Sequence, residues 1–199
     1  MKKYIVSFSG GKDSTAMLHK MLEKKLDIHS VVWFDTERDF PEIIEHINQV
    51  KKRTSLDFVR LRHWLGFDFL QARYGDAHKS GGWCTAAKRD ACNRYMRLML
   101  KAEPDLVECI GFSADEKKRV NGKTIKSKKT WPVWCPLVDW GITEKAALDY
   151  CYSLGYDFGG IYEWMPSKRV SCYDCPKQSK ADWDAIKQHK PELFSRTSV

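Results

Sequence analysis

Ser7-Phe8-Ser9-Gly10-Gly11-Lys12-Asp13-Ser14 decides how this 199-residue chain is read. The octet follows an apolar run, Tyr4-Ile5-Val6, that reads as a buried strand. It precedes apolar positions at Ala16, Met17, Met21 and Leu22 that read as a helix. A glycine pair at a strand-to-helix turn lets backbone N–H groups converge on an anion, and the helix N-terminus adds partial positive charge. Lys12 can neutralise phosphate oxygens, Asp13 can hold a metal ion, and Ser9 and Ser14 can donate hydrogen bonds. The ligand that suits this turn is a polyphosphate, with Ser7, Ser9, Gly10, Gly11, Lys12, Asp13 and Ser14 as its candidate contacts. The Gly-x-x-x-x-Gly-Lys-Ser/Thr phosphate loop is excluded, because Val6 and Asp13 stand where that pattern needs Gly and Ser or Thr.

Outward from this turn, strands are expected at residues 3–9, 30–34, 56–61 and 106–110. Helices are expected at 13–25, from Pro41 with Ile43, Ile44, Ile47 and Val50 on one face, at 86–100 with Ala87, Ala91, Tyr95, Leu98 and Met99 on one face, and at 143–154. Residues 64–82 read as irregular, Asn121-Gly122 as a hairpin turn carrying Lys123, Lys126, Lys128 and Lys129, and a last helix bears Trp183 and Ile186. Strands alternating with helices in units of about 30 residues give an α/β fold: an open, mostly parallel sheet with helices on both faces. The expected organisation is a single domain over 1–199, with a nucleotide-binding core at about 1–112 and a substrate and metal-site segment at about 113–199. The second strand ends in Asp35-Thr36-Glu37. A carboxylate at the carboxyl end of a parallel strand lies where an open sheet binds ligand, so Asp35 is a candidate for magnesium or a ribose hydroxyl, or else a helix N-cap.

Net charge of +8 favours polyanionic partners, nucleotides first and nucleic acid next. No stretch approaches ~18 uninterrupted apolar residues, so no membrane span is expected. The opening MKKYIVSFSGG has no long apolar core of a signal peptide, and a cytoplasmic location is expected. Seven cysteines then argue for metal, cluster or sulfur chemistry rather than disulfides. Cys92, Cys109 and Cys151 fall on apolar faces and read as small core residues. Cys172-x-x-Cys175-Pro176 has the spacing of a metal site. Its candidate partners are Cys84, Cys135 and, more weakly, His78, all in Trp- and Gly-rich segments that read as irregular. Four thiolates suit structural Zn²⁺ or a [4Fe–4S] cluster; Cys84, Cys172 and Cys175 alone would leave one cluster iron open. A metal-free redox pair of Cys172 and Cys175 is the third reading.

The string Ser-Gly-Gly-Lys-Asp-Ser at 9–14 resembles the signature of the PP-loop, or N-type ATP pyrophosphatase, superfamily. Four further segments resemble its phosphoadenosine phosphosulfate (PAPS) reductase-like branch: Asp35-Thr36-Glu37-Arg38-Asp39-Phe40-Pro41-Glu42; Trp83-Cys84-Thr85 with Lys88; Gly111 with Glu116 and Arg119; and Pro136-Leu137 with Trp140. The resemblance implies an adenine nucleotide alpha hydrolase-like fold that holds ATP with Mg²⁺ by its outer phosphates and splits it to AMP and pyrophosphate. Asp35, Thr36, Gly111 and Arg119 join the turn as implied ATP contacts. It also tips the cysteine set toward a [4Fe–4S] cluster. The implied activity adenylates an acceptor, a tRNA base, the DNA backbone or a small molecule. Sulfur from a cysteine desulfurase or another donor then displaces AMP, with Lys12, Asp13 and Cys84 as catalytic candidates and a homodimer among the assemblies. One alternative is a sulfonucleotide (PAPS or APS) reductase, whose Glu-Cys-Gly-x-His segment has no counterpart in this sequence. Another is a nucleotide-binding accessory module with structural zinc.

Overall fold

Short, nearly continuous apolar runs are what a parallel sheet buried on both faces requires. In the computed structural model, which describes residues 2–77, 82–121, 130–170 and 172–197, those runs form β1 (Lys3–Phe8), β2 (Ile28–Phe34), β3 (Phe58–Leu61) and β4 (Leu106–Ile110). A two-residue strand, β5 (Val133–Trp134), was not expected; a run that short has no periodicity to read. The sheet is parallel throughout, in the order β3-β2-β1-β4-β5. The order reverses between β1 and β4, so the loops leaving these two strands diverge around a crevice, where open α/β sheets take ligands.

Side chains alternate across the sheet with the strand period of two. Val6, Phe8, Val31 and Cys109 enter the larger core, covered by α1 (Lys12–Glu23), α2 (Pro41–Thr54) and α7 (Glu144–Ser153). Ile5, Val32 and Leu106 face the other way, onto Met96 of α4 (Trp83–Ala102). Phe34 packs there with Ala87 of α4 and with Phe67 and Leu70 of α3 (Phe67–Tyr74). The remaining described helices are α5 (Lys117–Asn121), α6 (Pro136–Asp139), α8 (Ile161–Trp164), α9 (Lys180–His189) and α10 (Pro191–Phe194). None of the described helices is long and apolar enough to cross a membrane.

Three expectations need correction. The 64–82 stretch is not wholly irregular, because Phe67 and Leu70 repeat at i, i+3 and bury one side of α3. Cys84 does not sit in a loop: α4 begins at Trp83 and carries it on the first turn. Leu98 is not on the buried face; it is 57% exposed, while Met96 is buried in its place. His78, Gly122 and the lysines at 123, 126, 128 and 129 lie outside the described residues.

Candidate nucleotide and thiol site

The turn after β1 is held in shape by its own sequence. Gly10 has φ +73°, and a Cβ there would meet Ile43 Cγ2 and Ile47 Cγ1 of α2 at 2.8 Å. Only glycine combines that dihedral with that approach. The Ser14 hydroxyl accepts from the Ser9 N–H at 3.2 Å and donates to the Gly11 carbonyl at 3.0 Å, cross-bracing the loop. Gly111, leaving β4, lies against the first turn of α1: a Cβ on it would stand 3.0 Å from Ser14 Cα and N. The loop after β4 therefore meets the first turn of α1 backbone to backbone.

Between these loops and α4 opens a cavity of about 470 Å³, within the ~300–1,000 Å³ usual for small-molecule sites. Ser7, Ser9, Ser14 and Gly111 line it from the sheet edge, and four cations converge on it: Lys88 and Arg89 from α4, Arg119 from α5, and Arg169 from the segment before the late cysteine pair. Glu108 of β4 is 2% exposed and accepts from Ser7 Oγ at 3.0 Å and Trp131 Nε1 at 2.7 Å. Cys92 is half-buried: it packs against the core cluster of Phe34, Phe67, Leu70 and Ala87 and also lines this cavity. Lys88, Arg89 and Arg169 were missed as site residues because their convergence is tertiary; Lys88 alone had a signal, its place after Trp83-Cys84-Thr85.

Lys12 does not point freely into the cavity. It is 5% exposed; its ammonium contacts Asp13 Oδ2 at 3.1 Å and Glu144 Oε2 of α7 at 3.0 Å. Its backbone N–H donates to the Tyr162 hydroxyl of α8 at 2.9 Å. Burial raises the Asp13 carboxyl to about 6 against the opposing pull of Lys12. Its second oxygen, Oδ1, is buried with no hydrogen-bond partner among the described residues. Asp35 is neither open to solvent nor an N-cap. Its Oδ2 accepts from Arg60 Nε at 2.9 Å and Arg62 Nε at 2.7 Å, and its Oδ1 accepts from the Glu37 N–H at 2.8 Å. Burial works against its ionisation, but the Glu37 N–H, Arg60 and Arg62 outweigh it and hold the carboxyl below the usual range. Glu116 and Arg119, spaced i, i+3, form an ion pair.

Beside this cavity is a smaller one of about 110 Å³, lined by Cys84, Cys172 and Cys175 with Phe67, Trp83 and Asp174. Cys84 is adjacent in sequence to Thr85 of the larger cavity, so the first turn of α4 separates the two. Arg38 staples the late cysteine turn in place. Its carbonyl accepts from the Tyr173 N–H at 2.9 Å, and its guanidinium contacts Asp174 at 3.5 Å, Gln71 at 3.0 Å and Asp68. The Cys172 thiol donates to Thr36 Oγ1 at 3.3 Å, and burial pushes it up to about 12. Cys135 is not brought here. It is buried at the start of α6, close enough to Cys109 to help raise that thiol's pKa. No three described His, Cys, Asp or Glu side chains converge on one point as a single metal ion needs; the three thiols share a cavity, not a point.

Residues 3–178 match the phosphoadenosine phosphosulfate reductase domain. The chain belongs to that family. Two uncharacterised proteins of Methanocaldococcus jannaschii are 27% and 25% identical to it over 98% of its length, and it spans only 40% and 47% of theirs. Among solved structures, its fold is similar to that of the U34-tRNA thiolase NcsA from Methanococcus maripaludis with its [4Fe–4S] cluster. That match has TM-score 0.58 and 16% identity, and covers 98% of this chain and 69% of that one. The PAPS reductase of Candida auris in its phosphate complex also has TM-score 0.58, at 10% identity over 86% of this chain and 82% of that one. A 4-thiouridine synthetase in complex with RNA and bound ATP has TM-score 0.53 and 16% identity, over 98% and 54% of the two chains. At these identities the likeness is one of fold. For a member of the PAPS reductase domain family, the crevice at the switch point is the place to look for chemistry.

Proposed function

We propose that the protein is a PP-loop ATP pyrophosphatase that adenylates an acceptor, releases pyrophosphate and serves sulfur transfer to the adenylated position. The observation that carries this reading is the adjacency of the two cavities. A cation-lined crevice under a glycine turn adjoins a pocket lined by three cysteines, with one helical turn between them.

In this reading the Gly10–Gly11 backbone and the Ser9 and Ser14 hydroxyls take the outer phosphates. Lys12 exchanges its Asp13 and Glu144 partners for phosphate oxygens, which stabilises charge developing on departing pyrophosphate. Lys88, Arg89, Arg119 and Arg169 balance the triphosphate from the opposite walls. Asp13 Oδ1, buried and unpartnered, would hold Mg²⁺, which supplies Lewis-acid stabilisation of the leaving group when bound. Asp35 positions the loop after β2 through Arg60 and Arg62 rather than touching a metal. Cys84, Cys172 and Cys175 would hold a [4Fe–4S] cluster. Thiols that share a cavity without sharing a point suit a group with several metal atoms, and such a group supplies an iron that can bind sulfur. The thiolase and the 4-thiouridine synthetase among the structural neighbours support sulfur transfer, with tRNA as the leading acceptor class.

The test is anaerobic purification, with iron and sulfide analysis and pyrophosphate release from ATP in the presence of RNA and a sulfide donor. Cluster stoichiometry and acceptor-dependent pyrophosphate that vanishes in Lys12→Ala support the reading. Stoichiometric zinc with no ATP turnover would replace it with an accessory nucleotide-binding module. The family match favours one second reading, sulfonucleotide reduction, which PAPS-dependent sulfite formation would establish.

A further inference from the structure

One feature of the surface takes no part in either cavity. At the carboxyl end of β3 the chain runs Leu61-Arg62-His63-Trp64, and the Trp64 indole is 78% exposed. Its ring lies nearly parallel to His63, at 28° with centroids 6.1 Å apart. It borders a third cavity, of about 330 Å³, whose other wall is α4, through Arg94, Tyr95 and Leu98. The same helix continues with Arg97 and Lys101, which line a neighbouring depression with Arg94. None of these three cations pairs with an acid among the described residues; the one acid beside them, Asp90, is engaged by Arg89 at 3.2 Å. Arg62 is half exposed and reaches Asp35 and Glu37.

A bare indole flanked by unpaired arginines is poorly accounted for as surface. An exposed tryptophan in water leaves its apolar faces hydrated, and clustered like charges repel. Both costs reverse against a single-stranded nucleic acid, whose bases stack on aromatic faces while its phosphates neutralise the cations. We infer that the Trp64–Arg94–Arg97 face binds a single-stranded segment of nucleic acid, stacking a base on Trp64. The placement deepens the proposed function, on which it rests for an acceptor. Trp64 is on the carboxyl rim of the sheet, as the phosphate turn is, and α4, running back from that rim toward the amino ends of the strands, joins the three regions. Cys84 lines the thiol cavity, Lys88 and Arg89 the nucleotide cavity, and Arg94 the stacking face, ten residues or about 15 Å beyond Cys84. A strand held there lies within reach of both chemical sites.

The test uses the full chain and fluorescein-labelled single strands of about 12 nucleotides, within the usual ~4–16-nucleotide site sizes, as RNA, as DNA and as duplex. Anisotropy gives affinity, and ATP binding is followed separately by calorimetry. Trp64→Ala is expected to weaken single-strand binding about 5- to 150-fold, with Trp64→Phe restoring most of it. Arg94→Ala should lower the salt slope by about 0.7 irrespective of sequence. ATP affinity should be unchanged in all three, since none lines the nucleotide cavity. RNA and DNA arms tell which strand is preferred. The inference is overturned if Trp64→Ala binds as the wild type does, if duplex binds as well as single strand, or if Trp64→Ala instead converts a dimer to a monomer. A wild type that binds no nucleic acid yet releases pyrophosphate with a small acceptor also overturns it, and leaves the ATP pyrophosphatase reading intact.

Discussion

Replacing Gly111 by Ala puts one methyl group where the loop after β4 meets α1. The new carbon would stand 3.0 Å from Ser14 Cα and Ser14 N and 3.2 Å from the Asp13 carbonyl carbon. All three atoms are backbone, so no side chain can swing aside; the first turn of α1 must move by several tenths of an ångström. Overpacking of this kind costs about 1–3 kcal/mol. For a chain of this size that is a fall in Tm of roughly 2–12 °C, at ~2–4 °C per kcal/mol. The same displacement carries the Ser9–Ser14 brace and the turn's N–H groups off the phosphate positions, and ATP affinity should fall about tenfold or more. Gly11→Ala is the control. There the nearest atoms are the Tyr162 hydroxyl at 3.3 Å and Ser9 Oγ at 3.6 Å, both tips of side chains, and φ is −85°. Its stability should change by about 1 kcal/mol at most. Thermal melts and ATP calorimetry on the two variants decide the matter. Equal melting of the two, or Gly111→Ala binding ATP as the wild type does, would refute the claim that backbone contact between this loop and α1 shapes the site.

Three further outcomes follow from other contacts. His46 is buried against Thr15, Tyr156 and Phe158; burial first, then the nearby cations His19 and Arg53, lower its pKa to about 3, with Asp157 opposing weakly. The unfolded chain therefore takes up that proton first, so stability is full above pH ~6.5 and drains as pH falls toward ~3. Between pH 7 and 5 this amounts to about 2 kcal/mol, and a His46→Gln variant should show a flatter Tm profile over that range. Tyr162→Phe strips the acceptor from the buried Lys12 N–H, and should cost about 1–3 kcal/mol in chemical denaturation; no loss would mean that the turn finds another acceptor. Single Ser substitutions at Cys84, Cys172 and Cys175 should each lower bound iron on anaerobic purification, whereas Cys135→Ser should keep iron and lose stability. Iron loss at Cys135 would place a fourth ligand outside the thiol cavity.

Some of this was legible along the chain because its cause is local. Apolar runs of strand length, a glycine pair before a helical repeat, Pro41 at a helix start and a Cys-x-x-Cys spacing each state their own geometry within a few residues. α3 and β5 were not legible, one too weakly amphipathic and the other too short for a period to show. Asp35 illustrates the limit for single residues: its place at a strand end pointed to a ligand contact, while its pairing with Arg60 of β3 and with Arg62 just beyond that strand is tertiary and left no mark in the sequence.

The amino-acid sequence by itself determined that a glycine turn before a helix opens a parallel α/β sheet and that a closely spaced cysteine pair stands late in the chain, because backbone dihedrals, periodicity and cysteine spacing act over a turn or two. Only the tertiary structure decided which partners meet: Cys84 rather than Cys135 beside Cys172 and Cys175, Glu144 on Lys12, and Lys88, Arg89, Arg119 and Arg169 around one crevice. Those pairings join residues tens of positions apart, and the distance between such residues is set by how the helices pack on the sheet.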